Sequence, residues 1–131
     1  MIEYPVSIDC GASRATVCLP DDMEERLRRL LDGPLLCVPV PRTEEKSACL
    51  RLFTEEKFAA WLGGLRHREG GALLARQIQA SAYRLEKEEN RLRVPLLLLT
   101  AAGIRGPAVL RLTEDGDAAI CSASGVHACR C

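Results

Sequence analysis

The sequence has few aromatic side chains and no excess of charge of either sign. It contains two phenylalanines, two tyrosines and one tryptophan, and its 18 basic residues are balanced by 18 acidic ones. So few aromatic rings argue against a platform on which nucleic-acid bases stack. A formal net charge of zero argues against a general polyanion binder, although it leaves room for basic residues gathered on one face.

The sequence also lacks a segment long and apolar enough to cross a membrane, and it lacks a recognisable catalytic motif. Its longest apolar run, VPLLLLTAAGI, is far shorter than a membrane span. Neither His67 nor His127 lies in a nucleophile or metal motif, and no phosphate-binding glycine loop is present. We therefore expect no enzyme activity, no cofactor, no small-molecule substrate and no membrane partner.

The seven cysteines indicate a reducing compartment. Their number is odd, and the first residues, MIEYPVSID, carry neither the basic nor the apolar region of a secretion signal. Most of the cysteines resemble small core residues within strand-like runs, as Cys18 and Cys37 do. We therefore expect a cytoplasmic protein with free thiols.

The C-terminal segment CSASGVHACRC offers four soft metal ligands, which are Cys121, His127, Cys129 and Cys131. Four such ligands could in principle bind zinc. However, the segment lacks the paired C-x-x-C spacing typical of zinc sites, and it has no hydrophobic periodicity. We expect no metal site and a loose tail over residues 122–131.

The most informative feature of the sequence is a repeat. VSIDCGASRATVCLP occurs near the N-terminus and YRLEKEENRLRVP in the second half, each with an acid five positions before an arginine. A leucine-rich helical stretch, a Gly-Pro pair and another strand-like run follow each copy. Because one unit occurs twice, we expect two half-sites related by a pseudo-two-fold axis. The acids and arginines are Asp9 and Arg14 in the first copy, and Glu86 and Arg91 in the second.

Local signals place helices and turns between these strand-like runs. Pro20, followed by two aspartates, predicts the start of a helix. Thr54 is a good N-cap for a second helix, and Gly63-Gly64 is expected to weaken that helix at its end. The sequence TEDGD, with Gly116 near its centre, predicts a hairpin turn.

These elements predict one α+β domain over residues 1–121 with two pseudo-symmetric halves. The halves cover about 3–53 and 82–121, and helices at 54–81 join them. Each half alone is small for a stable core, so we expect both halves to share one.

The ordered set of motifs resembles the MraZ family, transcriptional regulators of the bacterial division and cell-wall gene cluster. Besides the doubled acid–arginine unit, ACLRLFTEEKFAAWL and RLRVPLLLLTAAGI are similar to segments of that family. The resemblance covers residues 3–121. It implies a tandem duplicated swapped-hairpin fold of the AbrB/SpoVT type, with a β-barrel core and flanking helices.

The resemblance also implies a function and a set of site residues. MraZ-like proteins contact double-stranded DNA through a loop arginine from each half, and they assemble into rings that read tandem operator repeats. We therefore expect sequence-specific DNA binding, a ring-shaped homo-oligomer and a nucleoid location. The expected DNA ligands are Arg14, Arg91, Arg93 and Lys87, and the loop acids are Asp9 and Glu86.

The two loops depart from the family pattern. Each has one extra residue between the acid and the arginine, and the usual glycine before the arginine is replaced by Ser13 or Asn90. Asparagine tolerates a left-handed turn better than serine does. Glu88 and Glu89 also crowd the second loop with negative charge, which weakens attraction to DNA.

Three alternatives stay open at this point. Each arginine could pair only with the acid of its own loop, on a solvated surface. The chain could be an antitoxin-like module that binds a partner protein through its C-terminal tail. It could also be a structural paralogue that keeps the fold and the oligomer but has lost DNA binding.

Overall fold

The computed structural model of the chain contains nine strands and four helices within the residues that it describes. The described residues are 2–20, 25–40, 44, 48–104, 107–114 and 116–122. The strands are β1 (Ile2–Cys10), β2 (Arg14–Cys18), β3 (Leu35–Val40), β4 (Cys49–Thr54), β5 (Tyr83–Arg84), β6 (Glu86–Glu88), β7 (Arg91–Pro95), β8 (Ala108–Leu112) and β9 (Ala118–Ser122). The helices are α1 (Glu25–Asp32), α2 (Glu55–Arg66), α3 (Gly71–Ser81) and α4 (Leu96–Ala101).

The strands form one antiparallel sheet that curls into a nearly closed barrel. Its order is β5-β3-β4-β9-β8-β1-β2-β7-β6, so β5 and β6 are the two edges. These edge strands are consecutive in the chain and only Leu85 separates them. The backbone N–H of Leu85 donates to the carbonyl of Leu35 at 2.9 Å. One extended segment therefore joins the two edges of the sheet, and the expected α+β class with a barrel core is confirmed.

The interior of the barrel is aliphatic and draws on both parts of the chain. Val17 and Leu50 from the first part pack in the same cluster as Leu92 and Ile120 from the second, and all four are fully buried. Cys37 lies in this cluster, and its burial raises the pKa of the thiol to about 12. This cysteine is therefore a small core residue, as predicted.

Helices α2 and α3 cover the outer side of β3 and β4. Thr54 caps α2 as predicted, because its hydroxyl accepts from the backbone N–H of Lys57 at 3.2 Å. Helix α2 runs through Gly63-Gly64 to Arg66, and the buried Leu65 packs its last turn against the cluster beneath it. The low helix propensity of glycine still predicts a weaker helix end, which the Gly63→Ala variant described in the Discussion tests.

Of the other local predictions, the structure tests the hairpin turn. The hairpin turn between β8 and β9 is confirmed, because the N–H of Thr113 donates to the carbonyl of Asp117 at 2.9 Å. The predicted first turn of α1 after Pro20 falls on residues 21–24, which lie outside the described residues. Of the predicted tail over residues 122–131, Ser122 is the last residue of β9 and lies opposite Ala108, and residues 123–131 lie outside the described residues.

Candidate nucleic-acid interface

Four neighbouring strands present one polar surface to solvent. In β2 and β7 every second side chain is buried in the core, namely Ala15, Val17, Leu92 and Val94. Because side chains alternate along a strand, the residues between them point outward. We call this outward surface of β1, β2, β7 and β6 the arginine face. It consists of Ser7, Asp9, Arg14, Thr16, Cys18, Glu86, Glu88, Arg91 and Arg93.

The strand register places residues of the two repeats side by side on this face. Asp9 lies opposite Thr16, Thr16 opposite Arg93, and Arg93 opposite Glu86. Directly opposed residues have Cβ atoms about 4.5–5.5 Å apart, which is within contact distance for such side chains. The pairing of β2 with β7 is therefore what brings the two repeats together on one surface.

Glu86 connects the arginines of the two repeats. Its Oε2 lies 3.0 Å from Nη1 of Arg14 and 4.0 Å from Nη1 of Arg93. Arg93 also lies 3.9 Å from Glu88, measured from Nη2 to Oε2. The side chains of Arg14 and Glu86 are both half exposed. Exposed ion pairs contribute about 0–1 kcal/mol, so these contacts hold the face weakly.

The ion pair of Arg14 also bears on the alternative in which each arginine pairs with its own loop acid. Arg14 pairs with Glu86 of the second repeat, and not with Asp9 of its own loop. Arg91 is exposed, and within the described residues it forms no ion pair with an acidic side chain. The guanidinium of Arg91 is therefore open to a ligand.

Lys87 lies on the opposite side of the sheet from the arginines. It is opposite the buried Leu92, and its ammonium donates to the backbone carbonyl of Leu31 near the C-terminal end of α1. A positive charge is favourable at that end of a helix. The structure therefore separates Lys87 from the predicted DNA ligands Arg14, Arg91 and Arg93, and its own role in DNA binding stays an untested prediction.

The second turn differs from the expectation for Asn90. Glu89 adopts the left-handed backbone conformation, with φ 55°, and Asn90 does not. The side-chain amide of Asn90 donates to the carbonyl of Leu19 at 2.7 Å, and the N–H of Leu19 donates to the carbonyl of Asn90 at 2.8 Å. Asn90 therefore ties the second turn to the end of β2. Ser13 is not left-handed either, so neither substituted position needs the glycine of the family pattern.

Sequence reasoning missed two residues of the arginine face. Thr16 lies between Asp9 and Arg93, and Cys18 lies opposite Arg91. The alternation in RATVC would place both side chains on the face of Arg14. Nothing in the sequence shows that β2 pairs with β7. The position of Thr16 and Cys18 beside the second repeat could therefore not be predicted.

The sequence predicts neither a metal site in the C-terminal segment nor a membrane span. Cys121 is buried in β9, whereas His127, Cys129 and Cys131 lie outside the described residues. Across the part of the chain that the structure describes, no group of three or more His, Cys, Asp or Glu side chains could hold a metal ion. None of the described helices is long and apolar enough to cross a membrane.

A cleft of about 350 Å³ lies between α1, the start of α2 and the turn before β9. Its charged lining is mixed in sign, since it includes Arg29 and Lys57 as well as Glu56 and Glu114. Lys57 is already paired with Asp117, with 3.2 Å between Nζ and Oδ1. The cleft therefore has no preference for a ligand of either charge, unlike the arginine face.

The arginine face offers three guanidinium groups on an open surface of four strands. Guanidinium groups bind phosphate and carboxylate oxygens in a fixed geometry, so this chemistry suits an anionic ligand. The face lies on the outside of the sheet rather than in a cleft, and so it suits an extended ligand better than a small molecule, which usually binds in a concave pocket. Comparisons of the chain with protein-family models, with curated proteins and with solved structures found no match.

Proposed function

We propose that the protein is a sequence-specific double-stranded DNA-binding transcriptional regulator that resembles the MraZ family. The observation that carries this proposal is that Arg14 lies on the same exposed face as Arg91 and Arg93. These arginines come from the two copies of the repeat. A target with repeated phosphates and stacked base pairs fits such a doubled set better than a single small anion does.

The strand pairing supports a duplicated swapped-hairpin fold. The shift along the chain that carries Asp9 onto Glu86 also carries Arg14 onto Arg91 and Thr16 onto Arg93. In the pairing of β2 with β7, Thr16 lies opposite Arg93, its own equivalent. A pseudo-two-fold axis between these two strands is the simplest reason for this register.

The pairings of β1 with β8 and of β3 with β5 also join the two halves. The β1–β2 hairpin of the first half pairs through β1 with β8 of the second half. The hairpin of β5, β6 and β7 in the second half pairs through β5 with β3 of the first half. Each half thus places its hairpin against the other half, which is the arrangement that the swapped-hairpin proposal requires.

The chemistry of the face fits contact with a DNA groove. Arginine can donate two hydrogen bonds to O6 and N7 of guanine in the major groove, and it can also contact backbone phosphates. A two-stranded β-ribbon fits within the major groove. β2 and β7 are central strands of the face, with β1 and β6 on either side, so it is the outward side chains of Arg14, Arg91 and Arg93, rather than the strands themselves, that would reach a groove.

Assembly into a homo-oligomer is part of this proposal. Leu73 and Leu74 on α3 are 62% and 45% exposed. Exposed leucines of this kind are suited to contact between protomers. A ring would present several arginine faces to tandem operator repeats in the nucleoid, so that weak contacts add through avidity.

Alanine variants of Arg14, Arg91 and Arg93 test the proposal. We expect each variant to weaken binding to the DNA upstream of the protein's own gene, by about 1–3 kcal/mol where the arginine contacts a base. Fluorescence anisotropy with a labelled duplex measures this effect. Arg29→Ala is the matched control, because Arg29 is also exposed and forms an ion pair, with Glu25 at 3.0 Å.

The proposal is wrong if the three variants bind as tightly as the wild-type protein and the Arg29→Ala control.

One observation favours the alternative of a structural paralogue without DNA binding. Glu86 and Glu88 lie near Arg14 and Arg93 and offset part of their charge. That alternative predicts an intact oligomer that does not bind DNA even at low salt, where contacts to phosphates are strongest.

A further inference from the structure

The Glu86 carboxylate occupies a shared position between the two repeats. It lies 3.0 Å from Arg14 of the first repeat and 4.0 Å from Arg93 of its own repeat, measured to the same oxygen. A carboxylate and a phosphate present similar acceptor oxygens to a guanidinium group. The position that Glu86 occupies is therefore one that an external phosphate could take.

We propose that Glu86 is a built-in competitor of DNA, whose carboxylate occupies the place of one backbone phosphate until DNA displaces it. This inference rests on the proposed function of the arginine face. It assigns Glu86 a role opposite to that of the arginines, since its charge lowers the affinity for DNA.

Exposure makes such displacement feasible. The side chains of Arg14 and Glu86 are each 53% exposed, so water surrounds the pair and weakens it. Exchange of the Glu86 carboxylate for another anion at Arg14 therefore costs little free energy. After displacement the Glu86 carboxylate still lies near the bound phosphates, and it repels them over a distance that salt shortens.

Glu88 provides a graded comparison. Glu88 lies opposite Arg91, but its one ion pair within the described residues is with Arg93, at 3.9 Å, which is too long for a hydrogen bond. Its charge should therefore compete less than that of Glu86. The expected order of gain in DNA affinity on neutralisation is Glu86→Gln first and Glu88→Gln second.

The test compares Glu86→Gln, Glu88→Gln and a control, Glu69→Gln, in anisotropy titrations with duplex DNA. Glu69 is exposed in the link between α2 and α3, away from the arginine face, and its replacement changes the net charge equally. We expect Glu86→Gln to tighten binding about tenfold at low salt, with a smaller gain at higher salt. Thermal unfolding of each variant verifies that the fold is kept.

A heparin column gives a second readout that does not depend on a DNA target. Equal DNA affinity of Glu86→Gln and Glu69→Gln, together with equal elution from heparin, overturns the competitor role even if the wild-type protein binds DNA. Absence of DNA binding by the wild-type protein instead overturns the proposed function. In that case, elution of Glu86→Gln at higher salt than Glu69→Gln would show only that Glu86 competes with polyanions in general, and the role as a competitor of DNA would fall with the proposed function.

Discussion

Replacement of Gly71 by alanine should destabilise the protein by roughly 3 kcal/mol or more, an effect expected only where a severe clash forms. A Cβ added at Gly71 would lie 1.6 Å from the carbonyl oxygen of Leu65 and 2.7 Å from its carbonyl carbon. These are backbone atoms of α2, so they cannot rotate aside as a flexible side chain could. Relief requires α2 and α3 to move apart, which exposes Phe58 and Ala75 of the cluster under them.

Gly63→Ala is the matched control for this variant. Gly63 lies inside α2, and a Cβ added there meets nothing within 4 Å. Because alanine favours a helix interior over glycine, we expect this control to gain up to about 1 kcal/mol. Urea unfolding followed by circular dichroism measures both. A Gly71→Ala variant as stable as Gly63→Ala would contradict the close contact between the two helices.

Replacement of Leu92 by alanine should cost about 2–5 kcal/mol, because it leaves a cavity in the centre of the barrel. Leu92 is fully buried beneath the arginine face, opposite Val17 of the first half. Its cluster contains residues of both halves, such as Leu50 and Ile120. The loss should therefore destabilise the whole barrel and not the second half alone.

Two probes of unfolding distinguish these outcomes. Trp61 lies in the separate cluster under α2, stacked on Phe53 with 4.9 Å between ring centroids. We expect its fluorescence and the circular dichroism signal of Leu92→Ala to change together, at a lower urea concentration than in the wild-type protein. The control Leu97→Ala should change stability by less than about 0.5 kcal/mol, since Leu97 is largely exposed. Separate transitions for the two probes would contradict a shared core.

The features that could be predicted from the sequence depend on residues close together in the chain. Thr54 accepts a hydrogen bond from a residue three positions later, and a hydrogen bond between Thr113 and Asp117 closes the turn before β9. Such contacts have local sequence signatures.

The candidate site depends on contacts that join distant parts of the chain. Arg14 and Glu86 are 72 positions apart, and their contact exists because β2 pairs with β7. The role of Asn90 was misjudged for the same reason, because its partner Leu19 lies 71 positions away. The repeat indicated which residues were equivalent, but only the strand register shows which of them touch.

An NMR titration of the labelled wild-type protein with duplex DNA from upstream of its own gene tests the central claim most directly. The account predicts amide shift changes along 7–10, 14–18 and 86–93, the strands and turn that carry the arginine face. It predicts no comparable changes along 55–66 and 71–81, where α2 and α3 lie. Changes confined to these two helices, or no changes with excess duplex at low salt, would contradict it.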